Sequence, residues 1–167
     1  MTKETTVKNK QTESGARYLE PGWFTRNVFN RSVVLLTRAG VSVWGSRELR
    51  VRGRKTGEWR KVPVNLLELD GQRYLVSPRG HTQWVRNLRV SGTGELRVGR
   101  RVETFQATEI APDDALKIAI LRAYLRRWSF ETGVFFEGVG ADATDEELVA
   151  ISDKHPAFAI ETRGGRS

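Results

Sequence analysis

Between Arg47 and Ile110 the apolar residues recur at every second position in short runs, and glycine-bearing turns separate the runs. A period of two is the spacing of a strand with one buried face. Leu49 and Val51 alternate with Glu48, Arg50 and Arg52, and Val62, Val64 and Leu66 share one face of the segment from Trp59 to Leu69. Pro63, inside that segment, cannot donate a ladder hydrogen bond, so an edge or a bulge is expected there. Asp70-Gly71 predicts a hairpin turn with its return strand from Arg73 to Ser77, broken by Pro78-Arg79-Gly80. Gly92-Thr93-Gly94 reads as a loop, and Gly99-Arg100 as the turn between strands Glu95 to Val98 and Arg101 to Ile110. Ala157 to Thr162 reads as a closing strand. The chain lacks the spacing of a β-α-β crossover, which disfavours a parallel nucleotide-binding sheet. About six antiparallel strands close most economically into a small barrel.

Helical spacing fills the intervals. Gln83 to Arg89 predicts a short helix with Trp84 and Leu88 on one face. Pro112 is expected to open a helix running to about Trp128, with Asp113 and Asp114 in its first turn and a stripe of Leu116, Ile120 and Tyr124. Thr144-Asp145-Glu146-Glu147 has the pattern of a capping box, opening a helix that His155-Pro156 stops. Residues 1–18 are polar and predict a disordered tail. From Pro21 to Gly40, Trp23, Phe24, Val28, Leu35 and Leu36 fall at roughly helical spacing. The fold class expected is mainly β with helices (α+β), and residues 19–163 form a single domain, which suits a chain of 167 residues.

Composition removes several chemistries. The chain has no Cys and only His81 and His155, far apart in sequence, so thiolate catalysis, disulfides and a multi-His metal site are excluded. Serines have no G-x-S-x-G setting, and the carboxylate pairs Asp113/Asp114 and Glu146/Glu147 are explained by helix starts. An enzyme on this chain needs an organic cofactor to carry its reaction. No eighteen-residue apolar run and no signal-like start occur, so a cytoplasmic address is expected. Trp23 and Phe24 beside Arg26 and Arg31 would allow peripheral membrane contact.

The net charge is +8 and is unevenly placed. Residues 47–61 carry +5, residues 79–101 carry another +5, and the rest of the chain sums to −2. Such concentration attracts an anion: nucleic acid, an acidic lipid surface or a phosphorylated cofactor. The strongest local constellation is Gly53-Arg54-Lys55-Thr56-Gly57 followed by Arg60. Two glycines let the backbone turn sharply, and three cations with one hydroxyl suit a phosphate; the alternative is a solvated hairpin tip. Ser77-Pro78-Arg79-Gly80 would bring backbone amides close to a flat ligand, or simply join a strand to a helix. Asn87 could contact a ligand or cap its own helix.

These blocks resemble the deazaflavin (F420)-dependent nitroreductase family. Arg52-Gly53-Arg54-Lys55-Thr56-Gly57 with Arg60 and Pro63 is similar to its signature. Leu75 to Gly80, Trp84-x-x-Asn87-Leu88-Arg89 and the closing His155-Pro156-Ala157-Phe158 follow in the family's order. The resemblance covers about residues 20–162. It implies a six-stranded antiparallel split β-barrel of the FMN-binding split-barrel type, with coenzyme F420, an anionic hydride carrier, as cofactor. On that resemblance Arg54, Lys55, Thr56 and Arg60 would bind the phosphate and glutamate tail, and Pro63, Val64 and Asn65 would line the ring. Ser77, Pro78, Arg79 and Gly80 would run beside the ring or phosphate, and Trp84, Asn87 and Leu88 would complete the pocket. No residue is assigned as catalytic.

Many relatives have Trp-Tyr where this chain has Trp84-Val85, and nitroimidazole reducers present late tyrosines on the substrate side. Here no tyrosine follows Tyr124, and that region offers Trp128, Phe130, Phe135 and Phe136. An aromatic wall suits a flat apolar acceptor such as a quinone, and enones and nitro compounds belong to the same class of acceptor. Three other readings stand beside this one: an FMN oxidoreductase on the same barrel, a non-catalytic nucleic-acid-binding domain, and a barrel that only carries the cofactor. F420 chemistry requires no nucleic acid, and the chain is expected as a monomer or homodimer.

Overall fold

A computed structural model of the protein describes residues 46–162. The expected tail and the helix from Pro21 to Gly40 lie outside them. Six strands appear in the order β1 (Ser46–Arg52), β2 (Trp59–Leu69), β3 (Gln72–Val76), β4 (Thr93–Val98), β5 (Arg101–Glu109) and β6 (Ala157–Thr162). Helix α1 (Gln83–Ser91) joins β3 to β4, and α2 (Ala115–Thr132) with α3 (Asp145–Ser152) fills the stretch between β5 and β6. Every pairing is antiparallel, and the sheet closes in the order β1-β2-β3-β6-β5-β4.

The alternation read from the sequence decides which residues fill the barrel. Leu49, Val51, Val64, Leu66, Leu75, Leu96, Phe105, Phe158 and Ile160 form the interior with Val85 and Leu88 of α1. The opposite face of β2, β3 and β6 is apolar too. Leu67, Tyr74, Val76 and Ala157 pack under α2 and α3, against Ile120, Leu121, Tyr124, Leu125, Trp128 and Leu148. This second core explains why the sheet does not alternate with polar residues along its whole length. The Asp70-Gly71 turn has positive φ at both positions, 52° and 76°, the twist-matched geometry of a two-residue hairpin.

Some local expectations are corrected. Thr93 and Gly94 belong to β4 and not to a loop. Gly94 is there because the Phe105 ring lies over its Cα: a Cβ would sit 2.6 Å from Phe105 Cζ. Helix α2 starts at Ala115 and not at Pro112, since the Asp114 carboxylate accepts from the Leu116 amide as N-cap. It passes Trp128, whose backbone is non-helical, and continues to Thr132. Leu116 is exposed, and the buried stripe instead includes Lys117, Ile118 and Leu121. The capping box is present as expected, with Thr144 accepting from the Glu147 amide and Glu147 accepting from the Thr144 amide.

Candidate functional site

The barrel is open along part of one strand. β2 pairs with β1 from Trp59 to Asn65 and with β3 only from Leu66 to Leu69. Pro63 therefore stands where β2 has a strand on one side alone, which is the edge position its missing N–H requires. After Val76 the chain leaves the sheet as a strap, Ser77 to Thr82, and enters α1. Pro63, Val64 and Asn65 thus lie along the one-sided stretch, with Val64 turned into the core and its neighbours partly exposed.

The hairpin from Gly53 to Glu58 caps one end of this stretch. The Gly53 amide donates to the Glu58 carbonyl at 2.8 Å, the Gly57 amide donates to the Gly53 carbonyl at 2.7 Å, and Gly57 has φ 70°. The Thr56 hydroxyl oxygen accepts from the Glu58 amide at 3.3 Å. α1 holds the tip: Asn87 Oδ1 accepts from the Arg54 amide at 3.2 Å and from Arg54 Nη1 at 2.9 Å, and Gln83 Oε1 accepts from the same Nη1 at 2.9 Å. Asn87 is buried while Arg54 and Lys55 are exposed. Neither cation pairs with a carboxylate among the described residues, whereas Arg60 meets Glu58 at 3.3 Å in solvent. Arg52 lies over the Trp59 ring at 4.1 Å and so braces the neck of the hairpin.

The second basic window is not one surface. Arg89 makes a bidentate pair with Glu109 at 2.7 and 2.6 Å, and Arg101 pairs with Glu103. Register places Arg97 opposite Glu48 and Glu95 opposite Arg50, so the Gly99-Arg100 tip lies at the other end of β1 from the Arg54 tip. The two basic windows therefore do not form one anion-binding surface: the Arg54 and Arg100 tips lie at opposite ends of β1.

The strap is internally fastened. Ser77, 1% exposed, donates its amide to the Pro156 carbonyl at 2.9 Å and its hydroxyl to the Gly80 carbonyl at 2.6 Å. Gly80 has φ 78°, a conformation that glycine adopts without strain. Arg79 extends over the Phe135 ring at 4.6 Å, which joins the strap to the aromatic region after α2. Pro78, Arg79, Gly80, Phe135, Glu137, Lys154 and His155 line an open depression. His155 is 3% exposed, stacked on Phe136 with ring centroids 4.1 Å apart. Burial pushes its imidazole down to about 4, against the opposing carbonyls of Ser77 and Pro78 and with Lys117 and Lys154 adding to the depression. Those carbonyls face the ring outside hydrogen-bonding geometry, and among the described residues neither ring nitrogen has a hydrogen-bond partner.

Of the residues expected on the acceptor side, the structure brings only Phe135 to the strap. Trp128 and Phe136 are fully buried in the core, and Phe130 is 66% exposed on α2. Leu88 is buried beneath α1, and Trp84 is half-buried with its ring 5.9 Å from Phe158. Sequence reasoning passed over Gln83, although Gln83 and Asn87 are amides four residues apart, one face of the helix it predicted. It read His155 as a helix stop and as the start of the closing block, and gave it no place in the site.

Two solved structures with TM-scores of 0.50 and 0.51 share this fold. The chain shares 18% identity with a solved chain described as a domain-swapped dimer, over 83% of this chain and 97% of that one, with a TM-score of 0.51. The haem storage protein HutZ from Vibrio cholerae matches at 10% identity, 79% and 89% coverage and a TM-score of 0.50. A structure described as an F420-H2 dependent reductase, FDR-A, matches at 17% identity, 70% and 94% coverage and a TM-score of 0.49. No curated protein matches the chain. The family described as F420H(2)-dependent quinone reductase matches residues 31–135, a span holding the hairpin, the one-sided strand, the strap, α1 and most of α2. With well over half its length inside that match, the chain belongs to the F420H(2)-dependent quinone reductase family, oxidoreductases that use coenzyme F420.

Proposed function

We propose that this protein passes a hydride from reduced F420 to a flat apolar acceptor, with a quinone as the best-suited class and enones and nitro compounds as further candidates. The observation that carries the reading is the Arg54 hairpin, docked on α1 with Arg54 and Lys55 unmatched by any carboxylate among the described residues, beside a strand edge left one-sided. The residues present fit the cofactor. An anionic phosphate and tail need exposed cations, supplied by Arg54, Lys55 and Arg60 with Thr56. A flat ring needs a strand edge with backbone polar groups still open, supplied by the stretch of Pro63, Val64 and Asn65.

When bound, F420 supplies the hydride chemistry. The chain's own work is to bind, orient and exclude water. Arg54 and Lys55 anchor the anionic part, and the strap of Ser77 to Gly80 with Trp84, Asn87 and Leu88 bounds the ring. Arg79 and Phe135 bring the strap against the acceptor side. Reduction of a quinone to a quinol takes one proton with the hydride. His155, its pKa depressed by burial, is neutral at neutral pH and holds no second proton to give.

Steady-state oxidation of reduced F420 with menadione tests the reading. Turnover that saturates with menadione is expected; no oxidation above the protein-free background overturns it.

A further inference from the structure

Arg54 is held in an unusual way for an exposed arginine. Its Nη1 nitrogen carries two hydrogens, and both are taken, one by Gln83 Oε1 and one by Asn87 Oδ1, each at 2.9 Å. Asn87 Oδ1 also accepts the Arg54 backbone amide. A guanidinium has five N–H donors in a planar fork. The remaining three, on Nε and Nη2, have no partner among the described residues. That edge is the one which grips a phosphate or carboxylate through two parallel hydrogen bonds. Both internal partners are neutral amides, so the arginine is oriented without its charge being cancelled.

We infer that Gln83 is a positioning residue for anion binding: with Asn87 it fixes Arg54 through Nη1 and so presents the Nε–Nη2 edge to an oxyanion of the cofactor. This rests on the reading that the Arg54 hairpin receives the anionic part of F420. A carboxylate at 83 would keep the geometry and destroy the function, since an ion pair at this distance supplies an internal counter-charge. An apolar side chain of the same length would keep the charge and lose the orientation. Gln83 is exposed on the first turn of α1, so both changes spare the core.

The experiment is a set of equilibrium titrations followed by the fluorescence of the deazaflavin ring. Wild type, Gln83→Glu, Gln83→Met, Arg54→Ala and Gln83→Glu/Arg54→Ala are each titrated with F420 and with the same ring lacking phosphate and glutamates. Gln83→Glu is expected to weaken F420 at least tenfold and Gln83→Met about threefold, with the ring-only compound unchanged in both. In the Arg54→Ala background the Gln83→Glu effect should largely vanish, because its route runs through Arg54. Thermal melts of the unliganded variants should match wild type. Unchanged F420 affinity in Gln83→Glu, an equal loss for the ring-only compound, or an undiminished loss without Arg54 overturns the inference and leaves F420 binding standing. Failure of wild type to bind F420, or full affinity in Arg54→Ala, overturns the hairpin reading and this inference with it.

Discussion

At the scale of single residues, the site divides side chains that are spent inside the protein from those that are available to a ligand. Ser77 is spent, because its amide and hydroxyl both close the strap. Arg54 is half spent through Nη1, and on the proposed reading its other edge meets the anion of the cofactor. Arg54→Ala should therefore weaken F420 at least tenfold by titration, while Arg100→Ala, at the opposite end of β1, should change it less than threefold. Two buried ionisable groups predict pH dependence. His155 is pushed down to about 4 from 6.5, chiefly by burial. Between those values the unfolded chain binds a proton that the folded chain refuses. Stability is full above pH 6.5 and falls by about 3 kcal/mol as pH drops to 4, a slope His155→Phe should remove in urea melts. Lys117, 1% exposed near the start of α2, is pushed down to about 8, mainly by burial and further by Arg89, against Glu109 and Asp153. Below pH 8 the fold carries a buried charge, so stability rises from pH 8 to 10.5, where the unfolded chain still holds the proton. Lys117→Met should raise Tm at pH 7 and flatten that rise. Neither depth was legible in the sequence: a lysine one residue after Leu116 reads as the polar neighbour of a stripe, and only the true helix phase turns it inward.

At the scale of elements, what was legible followed local rules. The hairpins at Asp70-Gly71 and Gly99-Arg100, the capping box at Thr144 and the closing strand from Ala157 are set by residues within a few positions of one another. Thr144→Ala should cost about 1 kcal/mol in thermal or urea unfolding, as the loss of one N-cap does. Misreadings arose where a distant residue decides. Gly94 looked like part of a loop because the sequence cannot show Phe105 lying across it from β5. Gly94→Ala should destabilise by about 1–3 kcal/mol, since the Cβ would also meet the Arg50 carbonyl oxygen at 3.0 Å and Phe105 is locked in the core. A melt unchanged by that substitution would show that the strand pair can part there. The site was legible as blocks of residues, but their docking was not: that Asn87 would reach Arg54 across 33 positions comes only from α1 lying against β1.

At the scale of the whole molecule, the barrel's closure order explains where a ligand can lie. β3 is five residues long and β2 is eleven, so closure leaves seven residues of β2, Trp59 to Asn65, without a second neighbour. α1 holds the hairpin tip and the strap that enters α1 carries Arg79 over Phe135, while carboxylates of β5 neutralise much of the remaining basic surface. Charge placement, more than net charge, supports the proposed anion site at the Arg54 hairpin. No described helix is long and apolar enough to cross a membrane. On the proposed function the Arg54 hairpin selects a deazaflavin with a polyanionic tail over a flavin mononucleotide. Parallel equilibrium titrations of the wild-type protein with F420 and with FMN, repeated at rising salt, test it most directly. F420 is expected to bind at least tenfold tighter than FMN, with the advantage shrinking as salt screens the tail. Equal affinities, or a preference for F420 that salt leaves unchanged, would contradict it.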